Sequence, residues 1–150
     1  MSLKKPHINM DAGEGITVEY ELYPFVNALN VACGGHYGDE RTIFETLNHA
    51  IPYEIELGAH PSYPDKENFG RVSLELSSEE LTASIIDQIE CFIRVAEGLG
   101  ATWSHIKPHG ALYNDLSKNA SLAEVFLSAL ASYKEKTLYL QESSIIALKA

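Results

Sequence analysis

The chain has 150 residues, with 21 Asp+Glu against 11 Lys+Arg and a formal net charge of −10. A domain of that length buries about 70% of its unfolded surface, and 45% hydrophobic with 21% charged residues is a globular rather than a disordered composition. Its few, scattered basic residues exclude a nucleic-acid footprint, and no run approaches the roughly 20 apolar residues of a membrane span.

In chain order, Met1-Ser2-Leu3-Lys4-Lys5-Pro6 has no apolar stretch behind its lysines, so no secretory signal and a cytoplasmic location are expected. A first strand is expected over residues 7–11, which alternate and hold Ile8 and Met10. Residues 28–33 (ALNVAC) form a short apolar run and a second strand. Asp39 is placed to cap a helix carrying Ile43, Phe44, Leu47 and Ile51, stopped by Pro52. A third strand is expected over 55–59. Ser77-Ser78-Glu79-Glu80 reads as a capping box, and apolar residues recur at 81, 85, 89, 92, 93, 96 and 99, a helical spacing ended by Gly98 and Gly100. A fourth strand follows at 103–107. Ser121-Leu122-Ala123-Glu124 reads as a second capping box before Val125, Phe126, Ala129, Leu130 and Tyr133. Residues 137–141 form a fifth strand, and 143–150 the first turns of another helix. Such alternation predicts a mostly parallel α/β sheet, either open and doubly wound or part of a barrel. Cys33 and Cys91 lack a CxxC partner, so neither a disulfide framework nor a structural zinc site is expected, and both read as packed thiols.

The polar residues cluster after the strands. Asn9-Met10-Asp11-Ala12-Gly13-Glu14-Gly15 follows the first and Cys33-Gly34-Gly35-His36-Tyr37-Gly38-Asp39 the second. His60-Pro61-Ser62-Tyr63-Pro64-Asp65 and Phe69-Gly70-Arg71 follow the third, and Lys107-Pro108-His109-Gly110-Ala111-Leu112-Tyr113-Asn114 the fourth. Carboxyl ends of parallel strands share one face, where ligands bind, so these segments are expected to converge. Gly13-x-Gly15 is not a dinucleotide fingerprint, because Val18 stands where a third glycine belongs, and no Walker A pattern exists. His36 and His60 are the leading candidates for metal ligation or proton transfer, with Asp11 as a third ligand. Glu14, between two glycines, can be aimed into a cleft. Lys107 can pair with a carboxylate or phosphate, and Arg71 can clamp a carboxylate. Asp39 and Asp65 have ready alternatives as a helix cap and a turn residue. His7, His49 and His105 read as structural or surface residues.

These segments, in this order, closely resemble the LamB/YcsF family, the first of the three components of 5-oxoprolinase; GAHPSYPD at 58–65 and KPHGALYN at 107–114 are the most specific blocks. The resemblance runs from about residue 7 to at least 142. It implies a seven-stranded β/α barrel of the polysaccharide-deacetylase-like type, here a single domain over 1–150 that stops after about five strands. It implies opening of 5-oxoproline to glutamate with ATP as co-substrate, in concert with 5-oxoprolinase subunits B and C. Carried onto this sequence, Asp11, Glu14, His36, His60 and His109 would be catalytic. Lys107, Arg71, Asp65, Asn114 and Asp39 would bind substrate, and Asp11, His36 and His60 would hold any divalent metal. Two further expectations are a metal-dependent deacetylase-like hydrolase and a non-catalytic module. An incomplete barrel also invites a homo-oligomeric neighbour.

Overall fold

The computed structural model describes residues 5–150; the start of the chain, on which the expectation of no secretory signal rests, lies outside the described residues. Five parallel strands form one sheet: β1 (Asn9–Ala12), β2 (Ala28–Ala32), β3 (Glu56–His60), β4 (His105–Ile106) and β5 (Thr137–Leu138). Their spatial order is their sequence order, with every neighbouring pair parallel. A doubly wound sheet reverses strand order at a switch point. This sheet has no such point, so it has the winding of a β/α barrel. β1 and β5 do not pair with each other among the described residues, and the arc is open.

Right-handed crossovers that always advance in one direction place every helix on one face. Accordingly α1 (Glu40–Ala50) packs on α2 (Ser78–Gly98), α2 on α4 (Ala120–Ala129), and α4 on α5 (Ile145–Lys149). The strand register sorts side chains to match. Ala12, Val31, Ala59, Ile106 and Leu138 stand in one row across the sheet, and the first four are fully buried in the core. One residue earlier runs a different row: Asp11, Asn30, Gly58, His105 and Thr137. Period-two alternation therefore gives the sheet an apolar face and a largely polar one.

The helices follow their local signals with three differences. α1 carries the expected Asp39 cap: the Asp39 carboxylate accepts from Thr42 N, and Thr42 Oγ1 accepts from Asp39 N. Ile43 and Leu47 are buried, but Phe44 is 47% exposed, because one residue along a helix turns about 100° away from the buried stripe. α2 has the Ser77–Glu80 capping box and buries Leu81, Ile85, Ile89, Phe92 and Ala96. α4 starts earlier than the expected Ser121 box. Its cap is Asn119, whose side chain accepts from Leu122 N at 3.0 Å. The third difference is α3 (Gly110–Leu116), which occupies a segment read only as a loop after β4. A 3₁₀ turn over Glu19–Phe25 has no counterpart in the sequence reading either. No helix among the described residues is long and apolar enough to cross a membrane.

Candidate functional site

Parallel pairing aligns the carboxyl ends of β1–β4 on one edge, and the loops leaving them carry the polar side chains inward. Asp11 comes from β1 itself and Glu14 from the loop beyond it. His36 follows β2, His60 is the last residue of β3, and Lys107 and His109 follow β4. The β1 loop is shaped from below. Buried Glu19 accepts from Gly13 N at 2.8 Å and from the Tyr23 hydroxyl at 3.0 Å. Gln88, buried on α2, accepts from Ser62 N and donates to Ser62 O, both at 2.9 Å, and so fixes the loop after His60.

The cluster itself is dense. Lys107 Nζ donates to Asp11 Oδ1 at 2.6 Å. His36 Nε2 lies 2.7 Å from Glu14 Oε1. Asp11 Oδ2 is 3.4 Å from His60 Nε2. Glu14 Oε1 is 3.7 Å from His60 Nε2 and 3.6 Å from His109 Nδ1. His109 stacks on His36, with ring centroids 3.6 Å apart, and the edge of Phe69 closes against both rings. Gly70 makes this closure feasible. Its φ is +63°, and a Cβ there would meet His36 Cβ at 2.9 Å and His109 Cδ2 at 3.1 Å. Phe69 itself sits at φ +55°, a costly conformation for a bulky residue, and its carbonyl points at His109 Nε2, 2.9 Å away.

The environment sets the charge states. Burial resists ionisation of Asp11, but His60 and Lys107 outweigh it and hold the carboxyl well below the usual carboxylate range. Burial pushes His36 down against the pull of Glu14. Burial, then the neighbouring His36 and His60, push His109 down to about 4. Cys33 is buried and burial raises its thiol to about 12, so it is a packed, un-ionised group rather than a nucleophile.

Of the residues singled out in the sequence, Asp11, Glu14, His36, His60, Lys107 and His109 come together. Arg71 is exposed and lies over the Phe69 ring at 5.3 Å, at the rim. Asp39 caps α1, and Asp65 accepts from Asn68 N and Nδ2 within its own loop. Asn114 is exposed on α3. The tightest donor set also differs from the expected Asp11, His36 and His60. Glu14, His36, His60 and His109 each offer one ligand atom, all within 4.8 Å of one another, a set consistent with a divalent metal. Asp11 borders this set, with its Oδ1 already taken by Lys107.

Sequence reading missed Asn30. This fully buried residue of β2 donates to Asn9 Oδ1 at 2.8 Å and to Asp11 Oδ1 at 2.9 Å, and accepts from His105 Nε2 at 2.9 Å. One amide inside the apolar run ALNVA was the available signal. Beside the cluster, a cavity of about 510 Å³ is lined by Asn9, Lys107, Tyr113, Leu138 and Tyr139.

Two comparisons bear on this arrangement. Residues 7–150 match the LamB/YcsF family. The fold is similar to the crystal structure of a lactam utilization protein from Thermus thermophilus, with a TM-score of 0.92 and 31% sequence identity. The match covers 98% of this chain and 62% of that one, so this chain spans less than two thirds of the length of its structural relative.

Proposed function

The chain belongs to the LamB/YcsF family, and from that premise we propose that it is the first component of a three-part, ATP-dependent 5-oxoprolinase. In this reading its residues are one domain, an arc of a seven-stranded barrel, working in the cytoplasm with subunits B and C on the lactam of 5-oxoproline. The observation that carries the reading is the paired Lys107 and Asp11 beside three buried histidines, at the carboxyl ends of parallel strands, next to a cavity of small-ligand size.

Opening an unstrained lactam requires an activated carbonyl. The γ-phosphoryl group of ATP passes to the lactam oxygen and ADP leaves. Water then adds to the ring carbon, and the C–N bond breaks with the nitrogen taking up a proton. A second water releases phosphate from the resulting acyl phosphate and leaves glutamate. Lys107, fixed by Asp11, supplies positive charge to the phosphorylated oxygen. Arg71 at the rim suits the substrate carboxylate. One of Asp11, Glu14, His36, His60 and His109 takes up the water proton.

The test is glutamate formation by the chain mixed with subunits B and C, ATP and 5-oxoproline. Lys107→Met and His60→Ala are expected to lower the rate on the order of 100-fold or more with the fold intact by circular dichroism. His49→Ala, on the exposed side of α1, is expected to leave it unchanged. Absence of glutamate with the unmodified chain in the complete mixture overturns the reading. The four-donor cluster supports a second reading, a metal-dependent deacetylase-like hydrolase. That reading predicts release of acetate from an acetylated substrate without ATP.

A further inference from the structure

The hydrogen-bond partners of the three buried histidines fix where their protons lie. His60 Nδ1 is 2.7 Å from the Lys107 carbonyl oxygen, and His109 Nε2 is 2.9 Å from the Phe69 carbonyl oxygen. A carbonyl oxygen only accepts, so both nitrogens carry hydrogen. In the neutral rings the opposite nitrogens, His60 Nε2 and His109 Nδ1, then bear lone pairs. Those two atoms face each other at 3.0 Å. Glu14 Oε1 points at the same gap from 3.6 and 3.7 Å. With both rings neutral, the two backbone carbonyls leave these lone pairs facing one another; either a proton on His60 Nε2, which also faces Asp11 Oδ2 at 3.4 Å, or a metal ion satisfies them.

His36 plays a different part. It is 1% exposed, and its Nδ1 is buried without a partner among the described residues. To offer Nε2 as a ligand, its hydrogen would have to move to Nδ1 and become an orphaned buried N–H, the rarer kind of unsatisfied group. Its hydrogen stays on Nε2 and is donated to Glu14 at 2.7 Å. His36 is thus a positioning residue for the carboxylate.

We propose that His60 Nε2, His109 Nδ1 and Glu14 Oε1 form a binding site for one divalent transition-metal ion, with His36 orienting Glu14. Two imidazoles and one carboxylate select a borderline ion of the zinc, cobalt or nickel kind over magnesium or calcium, which take oxygen ligands. When bound, such an ion supplies Lewis acidity next to Lys107. The carbonyls of Lys107 and Phe69 are the outer partners that metal-bound histidines need to keep their orientation. The strained backbone of Phe69 gains a purpose here, because it aims one of the two. The site does not depend on the lactam reading; metal binding can succeed or fail whatever the protein hydrolyses.

The experiment uses the full chain without an affinity tag, stripped with chelator and titrated with cobalt(II), then zinc(II), by calorimetry and visible absorption. Expected are one ion per chain, cobalt d–d bands of a nitrogen–oxygen site, and loss of those bands when zinc displaces cobalt. His60→Ala and His109→Ala should each weaken binding at least about 100-fold, and His36→Asn by about 10–100-fold with altered bands. Magnesium should not compete. The unmodified chain decides the matter even if a variant fails to fold: no cobalt bands and no zinc binding below millimolar concentration overturns the proposal. So does unchanged affinity in a folded His60→Ala, His109→Ala double variant.

Discussion

His105 illustrates how one buried side chain gives the whole fold a pH dependence. It donates through Nε2 to Asn30 and sits 2.9 Å from the Ser104 hydroxyl through Nδ1, so it is held neutral. Burial pushes its pKa from the ordinary 6.5 down to about 4. Above 6.5 both folded and unfolded chains hold it neutral and the linkage is silent. Between about 6.5 and about 4 the unfolded chain takes up the proton and the folded chain does not, so stability falls as pH falls. His105→Gln keeps a donor and removes the titration. Its melting temperature should therefore depend less on pH in that window, the difference amounting to at most about 1.4 kcal/mol per pH unit. Equal slopes for the two proteins would contradict this account. The candidate site was legible at residue scale wherever a side chain carried the chemistry: Asp11, Glu14, His36, His60, Lys107 and His109 stand out by type and by position after strands. What could not be read is the work of the backbone. The carbonyls of Lys107 and Phe69 decide which nitrogens of His60 and His109 are free, and a carbonyl has no letter in a sequence.

Among the elements, the helices with strong local codes were legible and the weakly coded ones were not. α2 combines a capping box with a long apolar stripe, and it forms where both predict. α3 has seven residues, begins at a glycine with φ +56°, and receives no side-chain cap from His109. It exists because its Leu112 and Leu116 are buried against the core, a tertiary cause that local pattern does not carry. The start of α4 shows two caps in competition. Ser121 with Glu124 has the right spacing, but Asn119 lies nearer to α3 and takes the role. Asn119→Ala should then cost about 0.5–2 kcal/mol of unfolding free energy, and Ser121→Ala no more than about 0.5. Urea denaturation of the two variants distinguishes them, and the reverse order would mean the helix begins at Ser121. Strand pairing was legible in order but not in length. β4 and β5 have two residues each, shorter than the runs 103–107 and 137–141, although Ser104 N and Lys107 N still donate to Leu57 O and Ala59 O of β3, and Tyr139 N to Ile106 O.

At the scale of the molecule, the arc owes its two-sidedness to register. One face is covered by helices; the other carries the row from Asp11 through Asn30 and His105 to Thr137. That row is continuous only because β3 contributes Gly58. A Cβ at Gly58 would collide with the His105 ring, which crosses the vacant place to reach Asn30, and with the His105 backbone carbonyl oxygen at 2.5 Å. Gly58→Ala should destabilise the chain by about 1–3 kcal/mol through overpacking. His105→Ala should cost a similar amount by leaving the buried Asn30 oxygen unpaired. Loss of the ring relieves only the side-chain part of the clash, so the double variant should be less damaged than the sum, with a coupling toward the lower end of about 0.5–3 kcal/mol in a denaturation cycle, and strict additivity would refute the shared space. The shared space also constrains history. A lineage can give up the imidazole and keep the glycine, but filling the glycine still meets the carbonyl oxygen of residue 105 after the ring has gone. Gly58 is therefore expected to persist across descendants in which the residue at 105 has changed.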